Sequence, residues 1–155
     1  MLTTCLWFDT EGEEAATFYT SVFPGSKITD VARYGAGGPR PEGTVMTVAF
    51  ELEGQPFLAL NGGPQYTFSE AISFVVSCDD QEEVDRYWET LSEGGEEGPC
   101  GWLKDRFGVS WQVVPEALPR LLADPDRERS QRVMAAMMQM KKIELDELEQ
   151  AASLV

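Results

Sequence analysis

The stretch Cys100-Gly101-Trp102-Leu103-Lys104-Asp105-Arg106-Phe107-Gly108-Val109-Ser110-Trp111-Gln112-Val113-Val114-Pro115 decides how the rest of the chain is read. Polar and apolar residues alternate on both sides of an Asp105-Arg106-Phe107-Gly108 corner. Gly108 can supply the positive φ that a tight hairpin needs. The stretch therefore predicts two short antiparallel strands, each with one face to a core and one away from it.

Working upstream, Gly94-Gly95 ends a helix whose buried stripe is Val84, Tyr87, Trp88 and Leu91. That helix opens at Asp79-Asp80-Gln81-Glu82-Glu83, where an Asp cap is followed three residues later by Glu, the capping-box spacing. Ala71 to Cys78 reads as the strand before it. The same grammar occurs once more nearer the start. Cys5-Leu6-Trp7-Phe8-Asp9 is a short strand, and Glu13 to Phe23 places Ala15, Ala16, Phe18, Tyr19 and Val22 at helical spacing before Pro24-Gly25. Lys27–Tyr34, Thr44–Leu52 and Pro56–Leu60 then read as strands, with a Gly/Pro loop at 35–41 and a turn at Glu53-Gly54.

The two halves align by offset. Glu13-Glu14-Ala15-Ala16-Thr17-Phe18-Tyr19 meets Glu82-Glu83-Val84-Asp85-Arg86-Tyr87-Trp88 at a shift of 69, and Gly54-Gln55-Pro56-Phe57-Leu58 meets Gly108-Val109-Ser110-Trp111-Gln112 at a shift of 54. The prediction is an α+β domain over residues 1–115. It is built from paired βαβββ modules, about 1–63 and 68–115, that form a curved sheet cavity. Residues 116–155 form a helical C-terminal extension. Leu118, Leu121 and Leu122 suggest a short helix, and Asp124-Pro125-Asp126 suggests a second start with Pro at the first helical position. A stripe of Val133, Met134, Met137, Met138 and Met140 follows, then a weakly helical segment from Leu145 to Ala152. This tail either covers the protein's own core or serves as a dimer arm, since a Met-rich face adapts to irregular surfaces.

Composition narrows the function. Among 155 residues, 43% are hydrophobic and 25% charged, the balance of an ordinary globule. The net charge of −15 is concentrated in residues 1–115, where 19 acids face 6 bases, so a nucleic acid or an anionic membrane would be repelled. No apolar run is long enough to span a bilayer, and the first residues have neither a basic nor an apolar signal region. A cytoplasmic protein is expected. Cys5, Cys78 and Cys100 are widely separated and odd in number, which fits neither a disulfide framework nor a CxxC metal site. There is no histidine, which removes Ser-His-Asp and Cys-His catalysis and any His-based metal site.

Cys5-Leu6-Trp7-Phe8-Asp9, Asn61-Gly62-Gly63-Pro64, Ala71-Ile72-Ser73-Phe74, Gly101-Trp102-Leu103-Lys104-Asp105-Arg106-Phe107-Gly108 and Ser110-Trp111-Gln112-Val113 together resemble the PhnB-like branch of the vicinal-oxygen-chelate superfamily, often labelled 3-demethylubiquinone 3-methyltransferase-like. The likeness spans about residues 4–140. It implies paired βαβββ modules, a U-shaped cavity and a homodimer. Catalytic members of the superfamily hold one divalent metal with His or Glu on the first and last strands of each module. The resemblance carries those four positions to Cys5, Leu58, Ala71 and Gln112. None is a His or a carboxylate, so no metal and no cofactor is expected, and catalysis by a conventional chelate centre is not. The methyltransferase label finds no support either, since no Gly-rich strand-to-helix turn of the dinucleotide-binding sort is present.

Two readings of function stay open. In the first, the cavity binds a small apolar or aromatic molecule, with Cys5, Trp7, Asn61, Trp102, Lys104 and Gln112 as its ligand-binding set. In the second, the chain is an enzyme with an unorthodox site such as Asp9, Cys5 and Lys104. Each residue also has a plainer role. Two strand tryptophans can be core, Cys5 an inert thiol, Lys104 the ion-pair partner of its neighbour Asp105, and Asn61 a turn residue beside Gly62-Gly63.

Overall fold

The computed structural model describes residues 1–154, and the chain divides into two compact units, Met1–Phe68 and Ser69 onwards. The first contains β1 (Thr4–Phe8), α1 (Gly12–Val22), β2 (Lys27–Arg33), β3 (Val45–Leu52) and β4 (Gln55–Asn61). Its sheet runs in the order β1-β4-β3-β2, with β1 parallel to β4 and the other pairs antiparallel. This is one βαβββ module.

Alternation along the strands sorts its side chains. Leu6, Phe8, Val48, Phe50, Leu52, Phe57 and Ala59 are buried, and α1 contributes Ala15, Ala16 and Tyr19 to the same core. Phe50 and Phe57 stack with centroids 5.3 Å apart. Each such fully buried aromatic contributes about 1.5–3 kcal/mol. The residues between them, Cys5, Trp7, Thr47, Ala49, Leu58 and Leu60, lie on the helix-free face. Glu53 and Gly54 both have positive φ, 50° and 85°, which is the two-residue turn that matches strand twist.

The second unit repeats the order with β5 (Ser73–Cys78), α2 (Gln81–Ser92), β6 (Glu96–Glu97), β7 (Trp102–Lys104) and β8 (Ser110–Pro115). The sheet order is β5-β8-β7-β6, and β5 is parallel to β8. The offset of 69 places Gly12 on Gln81, the first helical residue in each copy. The stripe Val84, Tyr87, Trp88 and Leu91 is buried in the same core as Leu103, Trp111 and Val113. The opening hairpin forms as read: Gly108 has φ 89°, and its N–H closes the corner on the Asp105 carbonyl at 3.0 Å. The β5 strand is shorter than expected. Ala71 and Ile72 lie in an exposed turn, and pairing starts at Ser73.

The tail belongs to the second unit and has a cluster of its own: Leu118, Val133, Met140, Ile143 and Leu148. It forms α3 (Ala117–Leu122), α4 (Arg127–Met137) and α5 (Leu145–Ser153). Pro125 is not the first helical residue. Asp126 caps α4 by accepting from the Arg129 N–H, and Asp124 accepts from the Asp126 N–H, so Pro125 sits in the turn before the cap. The methionine stripe also splits. Met140 is buried in the cluster while Met134 and Met138 are exposed, because α4 ends at Met137 and the chain turns. The tail is tied down by Cys100 and Gly101, whose N–H groups donate to the Met140 and Lys141 carbonyls at 2.8 and 2.7 Å. Gln81 holds it from the other side, donating to the Ile143 carbonyl and accepting from the Leu145 N–H. No helix among the described residues is long and apolar enough to cross a membrane.

Candidate functional site

The candidate residues fall into two groups, one in each module. In the first module Cys5 and Trp7 share the helix-free face of β1, opposite Leu58 and Leu60. Trp7 is half-buried and heavily engaged. Its Nε1–H donates to the Gly63 carbonyl at 2.9 Å, and its ring meets Tyr66 edge-on at 5.0 Å. A Cβ on Gly62 would fall 2.4 Å from that ring, so the Gly62 backbone lies directly on the indole. The Asn61-Gly62-Gly63-Pro64 run is thus shaped around Trp7. Cys5 is exposed, yet the protein around it desolvates the thiol enough to push its pKa above the ordinary value. That favours the neutral thiol over the nucleophilic thiolate.

Asn61 does something the sequence did not suggest. Alternation along β4 turns its side chain to the helix side with Phe57 and Ala59, away from Cys5 and Trp7. There Oδ1 accepts from the Gly12 N–H at 2.7 Å and Nδ2 donates to the Val45 carbonyl at 3.1 Å. Its own carbonyl accepts from the Tyr34 hydroxyl at 2.6 Å. Glu11, at the cap position of α1, makes no side-chain capping bond, so a residue 49 positions away caps the helix instead.

In the second module Trp102, Lys104 and Gln112 come together on the helix-free face. Trp102 is the register partner of Gln112, and Lys104 of Ser110. Trp102, Lys104 and Gln112 are all half-buried, whereas Leu103 and Trp111, on the other face, are buried. The Gln112 amide donates to the Ser73 hydroxyl at 2.9 Å. Lys104 pairs with Glu70 and not with its neighbour Asp105, which corrects the expected pairing. The reason is alternation. Asp105 points inward, 3% exposed, and accepts from the Phe107 and Val109 N–H groups and from the Trp111 indole at 2.8 to 3.0 Å. Glu70 raises the Lys104 pKa, mainly through their hydrogen bond, and Lys104 lowers that of Glu70. Cys100 precedes β7 in a left-handed turn, φ 58°, and its sulfur lies 3.8 Å from that of Met138 in the tail.

The metal positions need one change. Cys5 and Leu58 are register partners, as the resemblance implies. In the second module the partner of Gln112 is Val75, and Ala71 lies outside the strand. Val75 offers a metal no lone pair, like Ala71 and Leu58, and Gln112, whose amide N–H donates to Ser73, has only its neutral amide oxygen to give. These residues do not fit a divalent ion. Among the described residues no group of three or more Cys, Asp or Glu side chains is gathered for one. The methyl-donor cofactor that the family label implies is no better served. The residues between β1 and α1, Asp9, Thr10 and Glu11, form no glycine-rich turn, and Asn61 occupies the first N–H of α1. Of the other catalytic candidates, Asp9 faces Arg40 at 3.6 Å.

Comparison with known proteins agrees with this architecture. The family model described as 3-demethylubiquinone-9 3-methyltransferase matches residues 1–114. Among solved structures, the PhnB protein of Bacillus cereus, whose name carries the same description, is 37% identical. The match covers 74% of this chain and 98% of that one, with a TM-score of 0.66. A protein from Pseudomonas aeruginosa is 22% identical over 75% of this chain and 97% of its own, TM-score 0.62. A fosfomycin resistance protein, FosX, from Mesorhizobium loti shares the fold at 14% identity, covering 80% and 97%, TM-score 0.57. A search of curated proteins returns no match. With its first 114 residues matched by the family and over a third of positions shared with a PhnB protein across nearly all of that protein's length, the chain belongs to the PhnB-like 3-demethylubiquinone-9 3-methyltransferase family of the vicinal-oxygen-chelate superfamily.

Proposed function

We propose that the chain is a metal-free, PhnB-type binding protein that holds a small apolar or aromatic molecule on the helix-free faces of its sheets. The observation that carries this reading is the half-buried Trp102 set directly across from Gln112. An aromatic wall beside a few fixed polar groups is the usual make-up of a small-molecule site. Within the second module Lys104 adds a polar group beside Trp102 and Gln112, and within the first module Trp7 and Cys5 share the helix-free face of β1. Asn61 contributes by holding α1 against β4. Leu58 and Val75, at chelate positions, support binding in place of metal-assisted chemistry. The protein works in the cytoplasm as a homodimer.

Titration of tryptophan emission with a panel of small aromatic compounds tests the central claim. A saturable change that Trp102→Phe largely removes is expected, and no response to any compound would overturn it. Elemental analysis of the purified protein should find no stoichiometric divalent ion, and finding one would defeat the metal-free reading. Light scattering should give twice the 17.2 kDa chain mass, and a 17.2 kDa species would refute the dimer.

A further inference from the structure

We infer that one end of the second module's helix-free face is a site for a small organic cation, an amine that also carries a hydrogen-bonding oxygen. This rests on the binding reading above and narrows its ligand class. The site is a row across the sheet. Glu96 of β6, Lys104 of β7, Ser110 of β8 and Ser73 of β5 are successive register partners, so their side chains emerge on one face. Glu70 closes the row through its ion pair with Lys104. Glu70, Glu96, Lys104, Ser110 and Trp102 line a cavity of about 230 Å³, well beyond the room one water needs.

Ser110 is the observation that points to a ligand. It is 1% exposed, and its hydroxyl has no hydrogen-bond partner among the described residues. Buried polar groups are nearly always satisfied, and one that is not calls for a partner of another kind. The neighbouring Ser73 hydroxyl accepts from the Gln112 amide and makes no bond to Ser110.

Charge selects the class. Three carboxylates, Glu70, Glu96 and Glu97, line the cavity with one ammonium, Lys104. Glu97 holds the Trp88 indole at 2.7 Å, and Glu70 holds Lys104. An anion would have to break the Lys104–Glu70 pair to bind. A cation can instead approach Glu96 and lie over the Trp102 ring. The carboxylates are too dispersed to form a metal-binding group, which suits a charge carried on an organic framework. The oxygen of that framework would reach Ser110.

Tyramine and its uncharged counterpart 4-ethylphenol separate the possibilities when titrated into the full-length protein and followed by tryptophan emission. Tyramine should bind about tenfold more tightly than 4-ethylphenol, and Glu96→Gln should remove most of that difference. Ser110→Ala should weaken tyramine about fivefold or more without lowering the melting temperature, because it deletes a hydroxyl that has no partner among the described residues. Equal affinity for both compounds, or a Glu96→Gln variant that binds tyramine as well as the parent, would overturn the cation site and leave the binding reading standing. A Ser110→Ala variant that binds tyramine unchanged would mean that only water meets this hydroxyl, which also overturns it. Silence from both compounds would defeat the cation site, and silence from the whole aromatic panel as well would defeat the binding reading with it.

Discussion

The two modules have one topology and two chemistries. Row for row, Lys27, Glu51 and Pro56 of the first sheet correspond to Glu96, Lys104 and Ser110 of the second. The cross-strand charge pair is reversed, and a proline that has no hydroxyl stands where the second module buries one. Two residues along, on the same face, Ala49 and Leu58 correspond to Trp102 and Gln112. The helix-facing residues have kept their character, Phe57 matching Trp111 and Ala59 matching Val113, all buried. The lesson is that a duplicated βαβββ unit conserves the side that makes its core. The side facing away from the helix is available for binding chemistry, and here the second copy carries more of it.

The turns show the same divergence and lead to the largest expected effect. In the first module Leu52 and Gln55 flank a two-residue turn. In the second, Asp105 and Val109 flank three residues ending in the left-handed Gly108, the next commonest hairpin form. That added residue is why the offset between copies grows from 53 on β3 and β7 to 54 on β4 and β8. A longer loop needs pinning, and the Asp105 carboxylate does it with three donors. Asp105→Ala should cost about 4 kcal/mol in urea unfolding, since two backbone N–H groups and the Trp111 indole lose their acceptor. Asp105→Asn, which keeps an acceptor oxygen, should cost roughly half as much. If Asp105→Ala unfolds at the parent's urea midpoint, the pinning role is wrong.

The helix starts differ as well. The first helix is capped at long range by Asn61, the second by its own Asp80, which accepts from the Glu83 N–H while Glu83 accepts from the Asp79 N–H. The position matching Asn61 in the second copy is Pro115, which cannot make such a bond. Asn61→Ala strands the Gly12 N–H and the Val45 carbonyl in a buried setting and should cost about 2–3 kcal/mol. Asp80→Ala loses an exposed cap and should cost about 1 kcal/mol. Equal losses in thermal unfolding would erase the distinction between the two kinds of cap.

What was legible in the sequence follows the same divide between local and distant. The Asp80 cap, the Gly108 corner and the inward stripe of the second helix depend on residues within a few positions of one another, and each could be read directly. So could the offset of 69, because repeating a helix repeats its periodicity. From the sequence Asn61 reads as a ligand contact or a turn residue, and its capping role is hidden because its partner Gly12 is 49 positions away. The sequence pairs Lys104 with Asp105 for the opposite reason. Adjacency in sequence suggested a pair, but adjacent strand residues point to opposite faces, and the carboxylate it meets is Glu70. The run Ala71–Cys78 looks uniformly extended, which makes Ala71 a strand position by sequence, and only the pairing with β8 shows that Val75 faces Gln112. Nothing in the sequence marks Ser110 as buried without a partner, since that depends on what the neighbouring strands leave unbonded.

The smallest effect concerns the tail, which only the second copy carries, and here pH gives the cleaner test. Lys142 lies 2.8 Å from Asp85 on α2 and 3.4 Å from Glu144. Asp85 is held below the usual carboxylate range, first by its hydrogen bond with Lys142 and then by Gln81. Lys142 is raised above the usual amine range, chiefly by Asp85. A lowered acid stabilises above its unfolded pKa, and that contribution is lost as pH falls through the folded value. A raised base stabilises below its unfolded pKa, and loses the contribution as pH climbs through its folded value. The pair therefore supports docking of the tail between about pH 4 and 10.5. Both side chains are well solvated, so the contribution at neutral pH is about 0.5 kcal/mol or less. Hydrogen exchange at the Leu145 N–H, which donates to Gln81 beside this pair, should quicken slightly in Lys142→Ala at pH 7. As pH falls through the lowered folded value of Asp85, the variant and the parent should converge, because protonating Asp85 removes the same attraction. A difference that persists at acid pH after Asp85 is protonated would mean that Lys142 holds the tail by packing and not by charge.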